Sequence, residues 1–334
     1  MTTTRTRLAT ALCASLALTV TGCAQTGSSS SEGGGDFPTK PIELIVGYDA
    51  GGPTDTGARL LATELEDKLD ATITVVNEPA ANSQVAYTTV AQAEPDGYTM
   101  GTINFPSAII TTLDESRQAS YTREDFAPVA LQVVDPTALA VPADSPIDTP
   151  QDLVEAALAD PGALQATTSG VGSNEHFALA RLQEVADAEI APIHFADGST
   201  AATTAFLGGN ADILLANVGD MLPLLKAGQV KVVGVMAQER SPFLEDVPTF
   251  EEAGYEVDIS SSRGLAFPSG TPDEIIEQVS TATGEIMADP AFEEKMTAQG
   301  LAPNYLDAEA YAQYWDETEQ VFSELLPLVQ EGRS

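Results

Sequence analysis

Residues 42–59 read IELIVGYDAGGPTDTGAR. An apolar, strand-like run over 42–46 breaks at Tyr48, Ala50, Gly51 and Gly52, and a helical pattern follows. Two glycines let the backbone turn sharply and approach a ligand closely. Thr54 or Asp55 is placed to cap the helix, which leaves its first N–H groups aimed at the turn. The product is an anion-sized socket built mostly of backbone. In a chain short of positive charge, it points to capture of a small carboxylate.

The second such element follows the run 164–168. It reads Ser169-Gly170-Val171-Gly172-Ser173-Asn174-Glu175-His176 and leads into a helical pattern over 174–186. Strand, glycine turn, hydroxyl-bearing cap and helix recur in the same order. Two helix N-termini facing each other across a cleft would aim two sets of backbone donors at one carboxylate.

Around these elements, short β-branched runs alternate with amphipathic segments. Strands are expected at 42–46, 73–76, 98–103, 138–141, 164–168, 193–195, 213–216 and 230–236, with helices at 58–69, 85–93, 150–159 and 174–186. Such alternation predicts an α/β fold with parallel sheets and helices on both faces. Ligands in such sheets bind beyond the carboxyl ends of the strands, where both glycine turns fall. Two apolar, proline-punctuated stretches with little helical pattern, 127–143 and 257–268, predict that the chain leaves a first domain, builds a second and returns. Domain 1 is then 37–136 plus 261–334, and domain 2 is 137–260. The remainder is mainly helical, with starts at Pro272-Asp273-Glu274 and Asp289-Pro290 and a long last helix over 307–330.

The N-terminus carries a different signal. Arg5 and Arg7 precede an apolar core over 8–19 that is too short for a mature membrane span. Val20-Thr21-Gly22-Cys23 matches a bacterial lipobox, in which the cysteine becomes lipid-modified and N-terminal after cleavage. Residues 1–22 are read as the signal peptide, Cys23 as the lipidation site, and 23–36, rich in serine and glycine, as a flexible tether. Cys13 would leave with the signal, so no disulfide is expected. No later run is apolar enough to span a membrane, and the chain is expected to meet it only through the lipid, on the outer face of the cell membrane.

The chain has 14 Lys plus Arg against 50 Asp plus Glu. Removing the two signal arginines leaves 12 against 50, a formal charge of −38. Nucleic acid is a poor partner for such a field. Screening over about 8 Å leaves local donors in control of an anion site. No cofactor is expected. His176 and His194 lie far apart in sequence and no mature free thiol remains, so no metal site is expected either. Gly170-Val171-Gly172 lacks the later glycine and the acidic residue of a dinucleotide fingerprint.

Several further runs carry a resemblance. They are Phe37-Pro-Thr-Lys-Pro41, Ala50-Gly51-Gly52 with Asp55 and Arg59, Glu94-Pro-Asp-Gly-Tyr-Thr99, Ser169-Gly-Val-Gly-Ser173 with His176, Phe206-Leu-Gly-Gly-Asn-Ala-Asp212, Val247-Pro-Thr-Phe-Glu-Glu-Ala-Gly254 and Pro268-Ser-Gly-Thr-Pro272. In this order and spacing the chain resembles the Bug family, the TctC-like receptors of tripartite tricarboxylate transporters. The resemblance implies a two-domain periplasmic-binding-protein fold of type II, the Venus-flytrap form, with two interdomain crossings. It implies a non-catalytic receptor, acting as a monomer, that delivers an organic acid to the large and small membrane subunits of such a transporter. By position, Ala50, Gly51, Gly52 and Asp55 form one jaw, and Ser169, Gly170, Gly172, Ser173 and Asn174 the other, with Tyr48 beside the first.

A carboxylate beside an anionic ligand would repel it, so Asp55 is read as ordering the loop or holding water. The chain departs from the family pattern at Pro79-Ala80-Ala81-Asn82-Ser83, where Asn82 adds a donor, at His194-Phe195-Ala196-Asp197-Gly198, and at Ser261-Ser262-Arg263-Gly264. Arg263 would bind a second carboxylate of a di- or tricarboxylate bidentately, or form an interdomain ion pair. Asn104 and Asn217 lie at strand ends on the cleft side, and either could instead cap a local turn. Two other functions compete. One is a sensor presenting the bound carboxylate to a membrane kinase. The other is a hydrolase using Ser173 and His176, which lacks an orienting acid and the nucleophile-elbow pattern.

Overall fold

The computed structural model describes residues 37–80, 83–195 and 198–330. The signal peptide, Cys23, the tether and the Asn82 donor lie outside the described residues. The first half is built from β1 (Ile42–Val46), α1 (Pro53–Leu69), β2 (Ile73–Asn77), α2 (Gln84–Ala91), β3 (Thr99–Phe105) and α3 (Ser107–Leu113). Strands β2, β1 and β3 pair in parallel in that order. Ala58, Leu61, Ala62, Leu65 and Leu69 recur at helical steps, so α1 buries one stripe against the sheet.

The chain then runs through β4 (Phe126–Pro142) into α4 (Pro150–Ala159), β5 (Gln165–Thr168), α5 (Asn174–Ala186), β6 (Ala191–His194), α6 (Ser199–Leu207), β7 (Ile213–Asn217), α7 (Val218–Lys226) and β8 (Val230–Met236). It returns on β9 (Ser260–Pro268) and ends in α8 (Asp273–Met287), α9 (Pro290–Ala298), β10 (Pro303–Leu306) and α10 (Ala308–Gln330). The sheet order is β2-β1-β3-β9-β4-β7-β5-β6, with β8 and β10 also paired to β4. Parallel pairs at the two ends are joined by the antiparallel strands β4 and β9.

The extended crossing expected at 127–143, with a strand at 138–141, is one strand of 17 residues. It is buried along nearly its whole length on both faces, which removes the alternation by which a strand is recognised. Its register shifts near Pro128 and again near Leu131, where the chain bulges. The stretch 257–268 is likewise mostly strand β9, while β10, α3, α6 and α7 carry too little pattern to read in advance.

The last helix ties the two ends of the sheet together. Trp315 packs at 4.9 Å from Phe105, and Phe322 at 4.9 Å from Phe177 on α5. One apolar cluster therefore runs continuously from β3 through α10 to α5. No helix among the described residues is long and apolar enough to cross a membrane.

Candidate functional site

The first glycine turn closes on itself through Asp55. Gly52, not Thr54 or Asp55, occupies the cap position of α1, with no side-chain cap. Pro53 explains the difference, because its fixed φ and missing N–H suit the first helical position and push Thr54 and Asp55 into the first turn. Gly51 has φ +85°, a left-handed conformation, and a Cβ there would meet nothing within 4 Å. Its N–H donates to Asp55 Oδ2 at 2.8 Å, while Gly52 N–H donates to Asp49 O at 3.3 Å. The first intrahelical bond is Thr56 N–H to Gly52 O. The open donors of this helix end are therefore the amides of Thr54 and Asp55 rather than those of the glycines.

The Asp55 carboxylate also accepts from Arg59 Nε at 2.9 Å and from Asn77 Nδ2 at 2.8 Å. Asn77 Nδ2 reaches on to Tyr48 O at 3.0 Å. Burial pushes the Asp55 carboxyl up, but Arg59, the Gly51 N–H and Asn77 outweigh it and hold the group below its ordinary value. A depressed pKa contributes stability above the ordinary aspartate value of about 4 and loses it as pH falls through the lower native value. Asp55→Asn is thus expected to cost about 2 kcal/mol at neutral pH by loss of charge-assisted hydrogen bonds. Denaturant titration of both proteins should show the gap closing as pH falls below that ordinary value. A gap constant with pH would assign the loss to packing.

In the second turn, Gly170 and Gly172 have φ +135° and +80°. Ser173 caps α5, its Oγ accepting from His176 N–H at 3.3 Å. Ser169 Oγ donates to Glu175 Oε2 at 2.7 Å, and Gly172 N–H donates to His176 Nδ1 at 3.2 Å. Nδ1 of the His176 imidazole is thus directed at the glycine turn. The two histidines, distant in sequence, meet edge-on at 4.3 Å between ring centres, and His194 Nδ1 is 2.8 Å from Thr168 Oγ1. No group of three His, Cys, Asp or Glu among the described residues is arranged to hold a metal ion. Asn174 Nδ2 bridges Thr137 Oγ1 and Asn217 Oδ1 at 2.9 and 2.8 Å.

One residue that sequence reading passed over joins this turn to the first half of the chain. Arg117, on a short 3-10 turn (Glu115–Arg117), donates from Nη2 to Val171 O at 3.1 Å. A Cβ on Gly172 would lie 2.7 Å from that same Nη2. Nothing local marks Arg117, since its partner is 54 residues away.

Asn104 of β3 stands opposite Arg263 of β9. Asn104 Nδ2 donates to Thr54 Oγ1 at 2.9 Å. Tyr48 Oη lies 2.9 Å from Ser107 Oγ, which in turn donates to Asn104 O. Arg263 Nη2 is 3.7 Å from Asp135 Oδ2, and Asp135 Oδ1 accepts from Gly219 N–H at 3.2 Å. This ion pair joins neighbouring strands β4 and β9, within the span read as domain 1, and the guanidinium also acts on Asp220, within the span read as domain 2. Burial raises the carboxyls of Asp135, to about 6, and of Asp220 despite the nearby guanidinium. Burial also raises Glu175. Asp135 was legible in principle, as the one acid within the apolar run 126–142.

A model of the tripartite tricarboxylate transporter family receptor, TctC, matches residues 57–328, and the chain belongs to that family. Its fold and family are those of solute-binding receptors. It is 29% identical over 269 residues to a UPF0065 protein from the tcbD-tcbE intergenic region of Pseudomonas sp. (strain P51), covering 79% of each chain. It is similar to the solved structure of a TctC solute-binding protein from Polaromonas, at 29% identity and a TM-score of 0.76, over 87% of this chain and 99% of that one. MatC from Rhodopseudomonas palustris, solved with bound malate, is 26% identical with a TM-score of 0.72, over 86% of this chain and 99% of that one.

Proposed function

We propose that this chain is the extracytoplasmic receptor of a tripartite tricarboxylate-type transporter and that it captures a small organic carboxylate between its two glycine turns. The carrying observation is that both turns end parallel strands, β1 and β5, and open helices α1 and α5. Helix N-termini offer amides and a partial positive charge to an anion, which a chain of net charge −36 needs locally. The bound malate of MatC supports a carboxylate as the ligand.

In this reading the lobes are 37–136 with 261–334, and 137–260, and they close about β4 and the start of β9. Ala50, Gly51, Gly52, Ser169, Gly170, Gly172 and Ser173 form the jaws. Asp55 and Asn77 order the first turn, and Asn174 and Asn217 brace the second. Asn104 and Arg263 face the rest of the ligand. Cys23 carries the lipid that holds a monomeric receptor at the membrane, where it passes its ligand to the large and small membrane subunits.

A ligand that binds only the folded state raises stability by about 2.7 kcal/mol at a hundredfold excess over Kd. Thermal melts across mono-, di- and tricarboxylates, amino acids and aromatic acids should therefore show an upward shift with at least one carboxylate. A flat response to all of them would defeat this function.

A further inference from the structure

The charge around Arg263 has the wrong sign for a site that takes only an anion. The Arg263 guanidinium lies 3.7 Å from the Asp135 carboxylate and within electrostatic reach of Asp220, and Glu175 lies within electrostatic reach of both acids. A second observation points to an occupant. Arg263, 7% exposed, has Nε and Nη1 buried without a partner, and Asn104, 4% exposed, has Oδ1 buried without one. The two side chains stand opposite each other across β3 and β9. Buried polar atoms of this kind are rarely left unmatched. Together they ask for one acceptor, one donor and a positive charge.

A plain di- or tricarboxylate supplies the acceptor but no donor, and it adds negative charge beside the acids. An ammonium group supplies both the donor and the compensating charge. We infer that this receptor selects amino acids: the ligand is a carboxylate that also bears an N–H ammonium, received by Asn104 Oδ1 and the Asp135 and Asp220 carboxylates, while Arg263 takes a carboxylate oxygen. The inference rests on the carboxylate function proposed above and narrows it.

The test is calorimetric titration of the full chain at pH 7.5 with matched pairs, L-aspartate against succinate and L-glutamate against glutarate. The amino member of at least one pair is expected to bind tenfold tighter or more. Asp220→Asn should shrink that ratio below threefold, by weakening the amino member and strengthening its partner. Equal or tighter binding of succinate and glutarate overturns the selection while leaving the carboxylate function standing. A ratio unmoved by Asp220→Asn overturns the assigned acids, and the wild-type comparison stands if that variant fails to fold. Binding of neither member of either pair overturns the selection, and the broader panel of carboxylates then decides whether the function falls with it.

Discussion

Arg263→Ala is expected to destabilise the unliganded protein by about 3–5 kcal/mol at pH 7.5, the usual cost of stripping a buried ion pair of one partner. The guanidinium is a cation of a buried acidic cluster: Asp135 sits 3.7 Å from Nη2, and Asp220 also feels its charge. Burial already outweighs that attraction, holding Asp135 at about 6 with Arg263 in place. The sign of the pH dependence follows. A carboxyl whose native pKa is raised favours the folded state below its ordinary value and loses that contribution as pH rises through the native value.

The Arg263→Ala deficit should therefore be small near pH 4, grow through about pH 6, and be largest above it. Urea titrations at pH 4.5 and 7.5 measure it, and equal deficits at the two values would show that lost packing, not charge, is responsible. Arg263→Lys keeps the charge and should recover part of the loss at pH 7.5. In binding, Arg263→Ala is expected to weaken di- and tricarboxylates more than monocarboxylates. Uniform weakening would remove Arg263 from contact with the ligand.

Gly172→Ala is expected to cost about 2 kcal/mol of stability and at least tenfold in ligand affinity. The first part is conformational, since an L residue at φ +80° costs roughly 1–2 kcal/mol. The second arises because the new Cβ would stand 2.7 Å from Arg117 Nη2 and 3.4 Å from Ile110 Cγ2. The guanidinium is the flexible party, so it gives way and its bond to Val171 O is lost, loosening the link between the halves of the chain. Gly51→Ala provides the control, because φ +85° carries the same strain in open space, and it should cost about half as much.

Arg117→Ala removes both the bridge and the obstacle. Combined with Gly172→Ala, it should therefore give a loss smaller than the sum of the two single losses. Strict additivity, or equal costs for Gly51→Ala and Gly172→Ala, would contradict a steric link between Arg117 and the turn.

The sequence by itself determined the α/β class, the two glycine turns and the helices that follow them. Those signals are local: Gly51, Gly52, Gly170 and Gly172 permit the turns, Ser173 caps, and leucines four apart mark the buried stripe of α1. Pro53 was visible too, and its rule for the first helical position, applied in advance, would have moved the cap from Thr54 or Asp55 to Gly52. Of strand β4 only 138–141 was read as a strand, because burial on both faces erases alternation along the rest.

Only the tertiary structure decided which charges meet. Asp135 with Arg263, Arg117 with Val171 O, and His176 with His194 each join chain segments that no short-range pattern connects. It also decided that the glycine amides are taken up by Asp55, Asp49 and His176, so that Gly51 and Gly52 shape the socket more than they supply its donors. Backbone conformation is fixed by neighbours along the chain, whereas a buried charge takes its meaning from whatever the fold sets a few ångströms away.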